Sequence, residues 1–262
     1  MKKKVVGIFV CMLLMATTLS ATGALNVQTI WLVNGNNYAQ PYQNNPANSP
    51  DLITIKIVAK VVNVSDPDNL LGGAIKIDDT IKGKYTYDSN ATDSDPDPTL
   101  GIYWYNSSPC GIEVKAGGFI FKTDPNNVVF GIGIGNNFVN PPYSGDGIEI
   151  GSSNNLNLSN GLIVDLIDWA LYDPSGTALS NDSLPTTAPV LSDWNQSTYG
   201  LGLIIMGYDP YNMSMTYSIQ ADVTKATKSK ARDVHFTTQP ILIWLFERFP
   251  NMFPILRHLL EL

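Results

Sequence analysis

Alternating apolar and polar residues form the dominant pattern of this chain of 262 residues. Between Leu52 and Val62, apolar side chains occupy every odd-numbered position from Ile53 to Val61. A period of two is the pattern of a strand that buries one of its faces. Similar alternation recurs over residues 75–87, 119–123, 128–134 and 213–223, so each of these segments is predicted to be a strand.

Clusters of Asp, Pro, Asn and Gly separate these segments, at residues 66–69, 95–98, 123–127 and 173–176. Such residues favour turns because they cap or bend the backbone locally. No long apolar pattern of helical period occurs before residue 235. The fold class is therefore predicted to be all-β, an antiparallel β-sandwich or jelly roll of about nine to ten strands.

The two ends of the chain differ from its middle. Residues 1–24 combine three lysines, an apolar core and small residues near a cleavage point, which predicts a secretory signal peptide with a signal helix. A β-sandwich domain over residues 25–224 and a basic linker over residues 225–238 follow. Residues 239–262 predict short amphipathic helices, interrupted at Pro250, that are too short to cross a bilayer.

Charge narrows the range of partners. Seven lysines against twenty acidic residues leave the segment 25–224 with a net charge of −13. Phosphate contacts require a positive surface, so no nucleic acid partner is expected. The apolar, basic-flanked tail predicts attachment to a cell-envelope component or a membrane surface, and hence a secreted, cell-surface protein.

Only Cys110 remains after removal of a signal peptide, so an intrachain disulfide is excluded. A domain of about 200 residues buries enough surface to fold without one. We expect a partly buried, inert thiol, with a bridge between two chains as the alternative.

Asn-x-Ser/Thr acceptor sequences for glycosylation occur only between the signal and the tail. They lie at Asn63, Asn90, Asn106, Asn157, Asn181, Asn195 and Asn212.

No catalytic signature is found. Histidine is absent between residues 25 and 234, which argues against a Ser-His-Asp or Cys-His enzyme and against a zinc site. A glycoside hydrolase needs only two carboxylates, so this alternative stays open. The two glutamates available in the body are Glu113 and Glu149, and an Asp could take either role.

Calcium is the best-supported cofactor, because it prefers oxygen ligands from carboxylates and loop carbonyls. Asp93, Asp95 and Asp97 place three carboxylates in one short segment, and Asp66 with Asp68 forms a smaller cluster. Pro98 and Trp104 stand where an EF-hand needs Gly and Glu. Ordinary turns between strands are the alternative, with no cofactor at all.

Aromatic residues offer a candidate ligand-binding surface for carbohydrate. In the run Tyr103-Trp104-Tyr105, the two tyrosines should share one face of a strand and Trp104 the other. Such rings either stack on sugars or belong to the core. In the segment 131–135, glycine at every second position is expected to let a large ring or another sheet pack closely.

Several short segments between Asp66 and Trp194 carry a resemblance. They are DPDNLLGG (66–73), GKYTYD (83–88), DPDPT (95–99), FKTDP (121–125), SNG (159–161) and DPSGTALS (173–180). In these segments the chain resembles a family of exported, uncharacterised β-rich surface proteins of bacteria and archaea, many of which carry a C-terminal sorting tail. The resemblance implies export and surface display, and implies no activity, ligand or catalytic residue.

The end of the chain, LFERFPNMFPILR (245–257), is similar to terminal segments of exported archaeal proteins. This similarity implies a shared surface-attachment or sorting element. Docking of the tail on the domain, or pairing between chains, is the alternative. The sequence therefore favours an exported, non-enzymatic cell-surface β-sandwich, with a carbohydrate-binding or adhesion module and a carboxylate-based glycoside hydrolase as the alternatives.

Overall fold

The computed structural model describes residues 50–140, 143–195 and 202–229, and the architecture below refers to those ranges. Ten strands and one 3-10 turn (Leu191–Asp193) make up its regular structure. The predicted signal, the linker beyond residue 229 and the tail lie outside the described residues. The strands are β1 (Leu52–Ser65), β2 (Thr80–Asp88), β3 (Leu100–Tyr105), β4 (Gly111–Ala116), β5 (Phe119–Lys122), β6 (Phe130–Asn140), β7 (Tyr143–Ser152), β8 (Ile163–Asp173), β9 (Gly202–Asp209) and β10 (Asn212–Lys228).

All ten strands belong to one hydrogen-bonded sheet, in the order β3-β6-β7-β8-β9-β10-β1-β2-β4-β5. Every neighbouring pair in that order is antiparallel. The predicted all-β class, its antiparallel pairing and the number of strands are confirmed. The order itself had no signal in the sequence, because period-two alternation is the same for any neighbour.

The core forms where the sheet curls over itself. Tyr85 on β2 and Trp169 on β8 meet edge to face, with ring centroids 5.8 Å apart, although three strands (β9, β10 and β1) lie between β8 and β2 in the sheet order. The end of β5 reaches the segment that follows β7, where the Leu156 amide donates to the Lys122 carbonyl over 2.8 Å. One contiguous set of buried side chains therefore fills the space between the two parts of the sheet.

The described part of the connection from β8 to β9, residues 174–195, covers one side of this core. Leu184 is buried in it, and the Tyr103 hydroxyl donates to the Asp182 carbonyl over 3.1 Å. The Tyr87 hydroxyl donates to the Pro185 carbonyl from the other part of the sheet. Two core tyrosines on different strands thus hold the same loop.

Two strand boundaries differ from the predicted pattern. Alternation over 75–87 predicts one strand, but β2 begins only at Thr80, and Ile77 is 60% exposed. The amide of Asp78 donates to the Val61 carbonyl, so a turn occupies this position. At the other end, β10 continues beyond residue 224 to Lys228, where Ala226 packs against the core between exposed residues. Small and charged residues in this segment hid its strand pattern.

The predicted inward face of residues 213–223 also begins later. Met213 is 70% exposed, because the pairing of β10 with β9 jumps from Asn212 to Thr216. The alternation becomes regular from Tyr217 onwards, where Tyr217, Ile219, Ala221 and Val223 are buried.

Asp146 fixes an irregular junction between β6, β7 and the long loop. Its side chain is fully buried, and its two oxygens accept the amides of Asn137 and Leu179, each over 2.7 Å. Asn137 lies in the register shift between β6 and β7, and Leu179 lies in the β8–β9 connection. One carboxylate therefore joins a strand irregularity to the loop that closes the core.

We expect Asp146→Asn to destabilise the chain by about 1–3 kcal/mol, because one acceptor oxygen becomes an NH₂ group that faces a buried amide donor. Urea unfolding of the full chain measures the change. Asp68→Asn, at an exposed position, is the matched control. Equal unfolding midpoints for the two variants would show that Asp146 is dispensable.

Candidate functional site

The three aromatic residues of β3 divide between the two faces of the sheet. Tyr103 and Tyr105 are 5% and 2% exposed and belong to the core, whereas Trp104 is half-buried on the opposite face. Both tyrosine hydroxyls donate to backbone carbonyls, of Asp182 and Asp88. The alternation predicted for this run is confirmed. Of the three rings proposed to bind a ligand, Trp104 is the one whose surface is accessible.

The indole of Trp104 packs closely against a neighbouring strand, because that strand has glycine at the position of contact. Residue 104 pairs with Gly131 across β3 and β6. A Cβ added to Gly131 would lie 2.8 Å and 2.9 Å from Cζ3 and Cε3 of the indole, which is closer than real carbon atoms approach. The glycine therefore permits ring packing, as the sequence pattern of 131–135 predicts.

A cross-strand row on the outward face of the sheet links Trp104 to the far strands. In pairing order the row consists of Trp104, Gly131, Gly151, Asp168, Ile204, Gln220 and Asn63. We call this row and its flanking residues the outer face. Because Gly131 and Gly151 have no side chains, Trp104 and Asp168 are consecutive side chains of the row.

Asp168 leans over β7 and meets a second carboxyl group. Its Oδ1 would be 3.2 Å from a Cβ added to Gly151, and its side chain is hydrogen-bonded to that of Glu149. Asp168 is 3% exposed, whereas Glu149 is half-buried. Two carboxyl groups in such a contact repel each other unless a proton lies between them. We refer to Glu149 and Asp168 as the carboxyl pair.

The electrostatics of the carboxyl pair follow from its surroundings. Burial raises the pKa of Glu149 well above its usual range, and the charge of Asp168 and the hydrogen bond to it raise this pKa further. Burial also raises the pKa of Asp168, to about 7, against the opposing hydrogen bond from Glu149. Both carboxyl groups therefore keep protons at pH values where ordinary carboxyl groups have lost them.

A groove of about 270 Å³ lies beside the pair, over strands β8, β9, β10 and β1. Asn63, Ile204 and Gln220 of the row line it, and both amide side chains are half-buried. Other residues of the groove include Met206, Tyr208, Thr216 and Ser218. The outer face thus carries Trp104, the carboxyl pair and two amide groups in one cross-strand row, in which Asp168 and Ile204 are almost completely buried.

A second depression, of about 420 Å³, is lined by Asp173, Asp193, Trp194 and Asp222 among others. The carboxylate of Asp173 is already hydrogen-bonded within the chain, since it accepts from the amides of Ser175, Thr177 and Ala178. Partial burial raises the pKa of Asp173, but the bonds from Ser175 and Thr177 outweigh it and set this pKa at about 2. Asp173 therefore stabilises the start of the loop that follows β8 by accepting its backbone amides.

Asp93, Asp95 and Asp97 form successive turns. An oxygen of Asp93 accepts the Asp95 amide, an oxygen of Asp95 accepts the Asp97 amide, and an oxygen of Asp97 accepts the Thr99 amide, each over 2.9 Å. Asp93 also accepts the Ile102 amide, which attaches the segment to the edge of β3. The hydrogen bonds from Thr99 lower the pKa of the exposed Asp97. Asp66 caps the amides of Leu70 and Leu71 in a similar way.

Within the described ranges, no group of three or more His, Cys, Asp or Glu residues is arranged to hold a metal ion. Calcium binding stays a prediction, because each aspartate of 93–97 has a structural explanation that does not exclude it.

The remaining candidate residues have structural surroundings. Glu113 on β4 forms ion pairs with Lys115 and Lys122, both over 3.3 Å. Burial raises the pKa of Glu113, and the two lysines lower it by a larger amount. Cys110 is a buried free thiol, and burial raises its pKa to about 11, as an inert thiol requires.

The glycosylation sequons differ in exposure. Asn63 and Asn195 are half-buried, and Asn63 lies on the outer face. The other five asparagines are exposed, namely Asn90, Asn106, Asn157, Asn181 and Asn212. Use of any of these sequons stays a prediction.

Comparison of the chain with protein-family models, with curated proteins and with solved structures found no match. In the described part of the chain, no helix has the length and apolar character needed to cross a membrane.

The carboxyl pair should make stability fall as pH rises. Both groups keep protons in the folded state at pH values where the unfolded chain, with ordinary carboxyl pKa values of about 4, has lost them. The stability they contribute is complete below about pH 4 and is lost as pH rises through 7. We expect the double variant Glu149→Gln with Asp168→Asn to remove this decline, which is on the order of a few kcal/mol.

Urea unfolding of the full chain at pH 4.5, 6 and 7.5 measures the decline. Asp68→Asn should keep the wild-type slope, because this residue is exposed and lies outside the pair. An unchanged slope in the double variant would contradict the proton-sharing arrangement.

Substitution of Asp95 separates the turn from the calcium interpretation. The side-chain oxygen of Asn can accept the same amide, so Asp95→Asn in EDTA should change stability by less than about 0.5 kcal/mol. A calcium site would raise the melting temperature of the wild-type chain in millimolar Ca²⁺ by mass action, and the variant would lose this rise. Identical melting temperatures in EDTA and Ca²⁺ would refute the calcium prediction.

Proposed function

We propose that this chain is an exported, non-enzymatic β-sandwich protein of the cell surface, held to the envelope through its C-terminal tail, and that its outer face is the surface that meets a ligand. The observation that carries the binding role is the cross-strand row in which Trp104, the carboxyl pair and a groove follow one another. Polar groups that converge beside an aromatic ring and a groove are typical of ligand sites.

Two features of the chain support export and surface attachment. The signal pattern of residues 1–24 leads out of the cytosol, and a body with a net charge of −13 suits a soluble surface domain. The tail adds apolar side chains with Arg248 and Arg257, and the segment 225–238 before it adds four more basic residues, which together fit an envelope surface. The resemblances of the body and of the tail to exported surface proteins agree with this assignment.

The sandwich description rests on packing. One buried face of the sheet meets itself across the core, as the contact between Tyr85 and Trp169 illustrates. Two packed layers of one curled sheet bury the apolar residues as a sandwich does.

A carboxylate-based hydrolase is the second candidate, because the carboxyl pair joins two titratable groups of unequal pKa. Glycoside hydrolases hold their two carboxyl groups about 5–9.5 Å apart, to leave room for the sugar or for water. Hydrogen-bonded carboxyl groups are closer than this range. The pair therefore favours binding over glycoside hydrolysis.

The intact mass of the chain recovered from its native envelope tests the proposal. We expect a species that lacks residues 1–24 and either retains the tail or carries an attached group in its place. A retained tail predicts release by detergent or salt, since the association is then non-covalent. Recovery of the chain from the cytosol with residues 1–24 intact would overturn export and surface attachment together.

A further inference from the structure

We infer that the outer face binds an uncharged polysaccharide chain, which runs across the strands from Trp104 to Asn63. This inference rests on the proposed function in one respect, because it specifies the ligand of the same face. Four observations support this inference: the accessibility of Trp104, the side chains next to it, the length of the row and the net charge of residues 25–224.

Trp104 offers an aromatic platform on the outer face. The six-membered ring of its indole packs against Gly131, and the side chain is half-buried, so part of the ring is accessible. A pyranose ring presents axial C–H groups on its flat side, and these pack against an aromatic face through apolar contact. A bulkier residue at 131 would displace the indole and remove this packing.

The carboxyl pair supplies hydrogen bonds beside that platform. Neighbouring strands are about 4.8 Å apart, so Trp104 and Asp168 lie about 14 Å apart along the row. Their side chains lean towards each other over Gly131 and Gly151. Glu149 is half-buried, and carboxyl oxygens that the pair does not use between its own members can accept hydrogen bonds from sugar hydroxyl groups.

The amides of Gln220 and Asn63 extend the row. They follow Ile204 in the pairing order, and all three line the groove. Measured along the curled sheet, the row from β3 to β1 spans six strand intervals, or about 29 Å. This length accommodates a chain of several sugar units, whereas a single small molecule would occupy only part of it.

Charge selects an uncharged polymer over an anionic one. The body has seven lysines and twenty acidic residues, and the row itself contains no basic side chain. An anionic polysaccharide would meet both the net charge of the body and the carboxyl pair, and would be repelled. A neutral chain avoids this cost.

Isothermal titration of the full chain with uncharged hexasaccharides tests the inference. The probes are cellohexaose, laminarihexaose, mannohexaose and chitohexaose, and hexagalacturonate is the anionic comparison. We expect binding of at least one uncharged probe and none of the anionic one. Trp104→Ala should weaken that binding about tenfold or more, while Trp194→Ala, in the other depression, should leave it unchanged.

Matched glycine variants test the orientation of the ring without removing it. Gly131→Ala should displace the indole and weaken binding, because its Cβ would overlap the ring. Gly147→Ala on β7 meets only the Leu171 carbonyl, at 3.8 Å, and should bind as the wild type does. Near-ultraviolet circular dichroism and melting temperatures establish that each variant is folded.

Three outcomes would overturn the inference: no binding of any uncharged probe, binding of hexagalacturonate at equal strength, or equal binding by the Trp104→Ala and Trp194→Ala variants. Cleavage of a bound hexasaccharide would show that the protein hydrolyses its ligand, and would favour the hydrolase candidate over a binding protein. The envelope experiment depends on the two ends of the chain, not on this face. If the protein is attached to the envelope but binds no glycan, this inference is wrong, while the proposal of export and surface attachment still holds.

Discussion

The structure depends on the burial of one face of a single ten-stranded sheet against itself. Cys110, the one cysteine among the described residues, is a free thiol, so no disulfide joins distant strands there and apolar contact across the core must supply the closure. The Tyr85–Trp169 contact joins β2 to β8, and Tyr87 and Tyr103 fasten the long loop over the same core. Once the inner face is filled in this way, the opposite face of the sheet carries Trp104 and the carboxyl pair.

Glycine shapes that opposite face by what it leaves out. A side chain at 131 would displace the indole of Trp104, and one at 151 would crowd Asp168. Glycine weakens a strand by roughly 0.5–1 kcal/mol relative to alanine, and here two of them lie in one cross-strand row. Close packing of the buried face of the sheet offsets this loss of stability. The result is that an aromatic ring and a carboxyl pair, which are far apart in sequence, become neighbours.

Sequence patterns predicted the elements better than their arrangement. The alternation in 53–61 identified β1, and the glycines of 131–135 correctly indicated a large ring above them, since both signals are local. The contact of Glu149 with Asp168 had a weaker signal, namely an acidic residue at a position of each strand between buried apolar ones. Only the register of β7 with β8 brings the two together, and register is set by tertiary contacts that one sequence does not encode visibly.

The carboxyl pair is costly for folding, and this cost bears on its role. Two carboxyl groups that share one partly buried position keep raised pKa values, so the chain loses stability wherever its unfolded form would ionise freely. Apolar residues of similar volume often stabilise such a position as well or better. Strand pairing by β7 and β8 uses backbone groups and needs neither acid. Folding does not require the carboxyl pair, and the pair lies in the same row as Trp104 and the residues of the groove. Contact with a ligand is therefore a simpler explanation of the pair than a role in the fold.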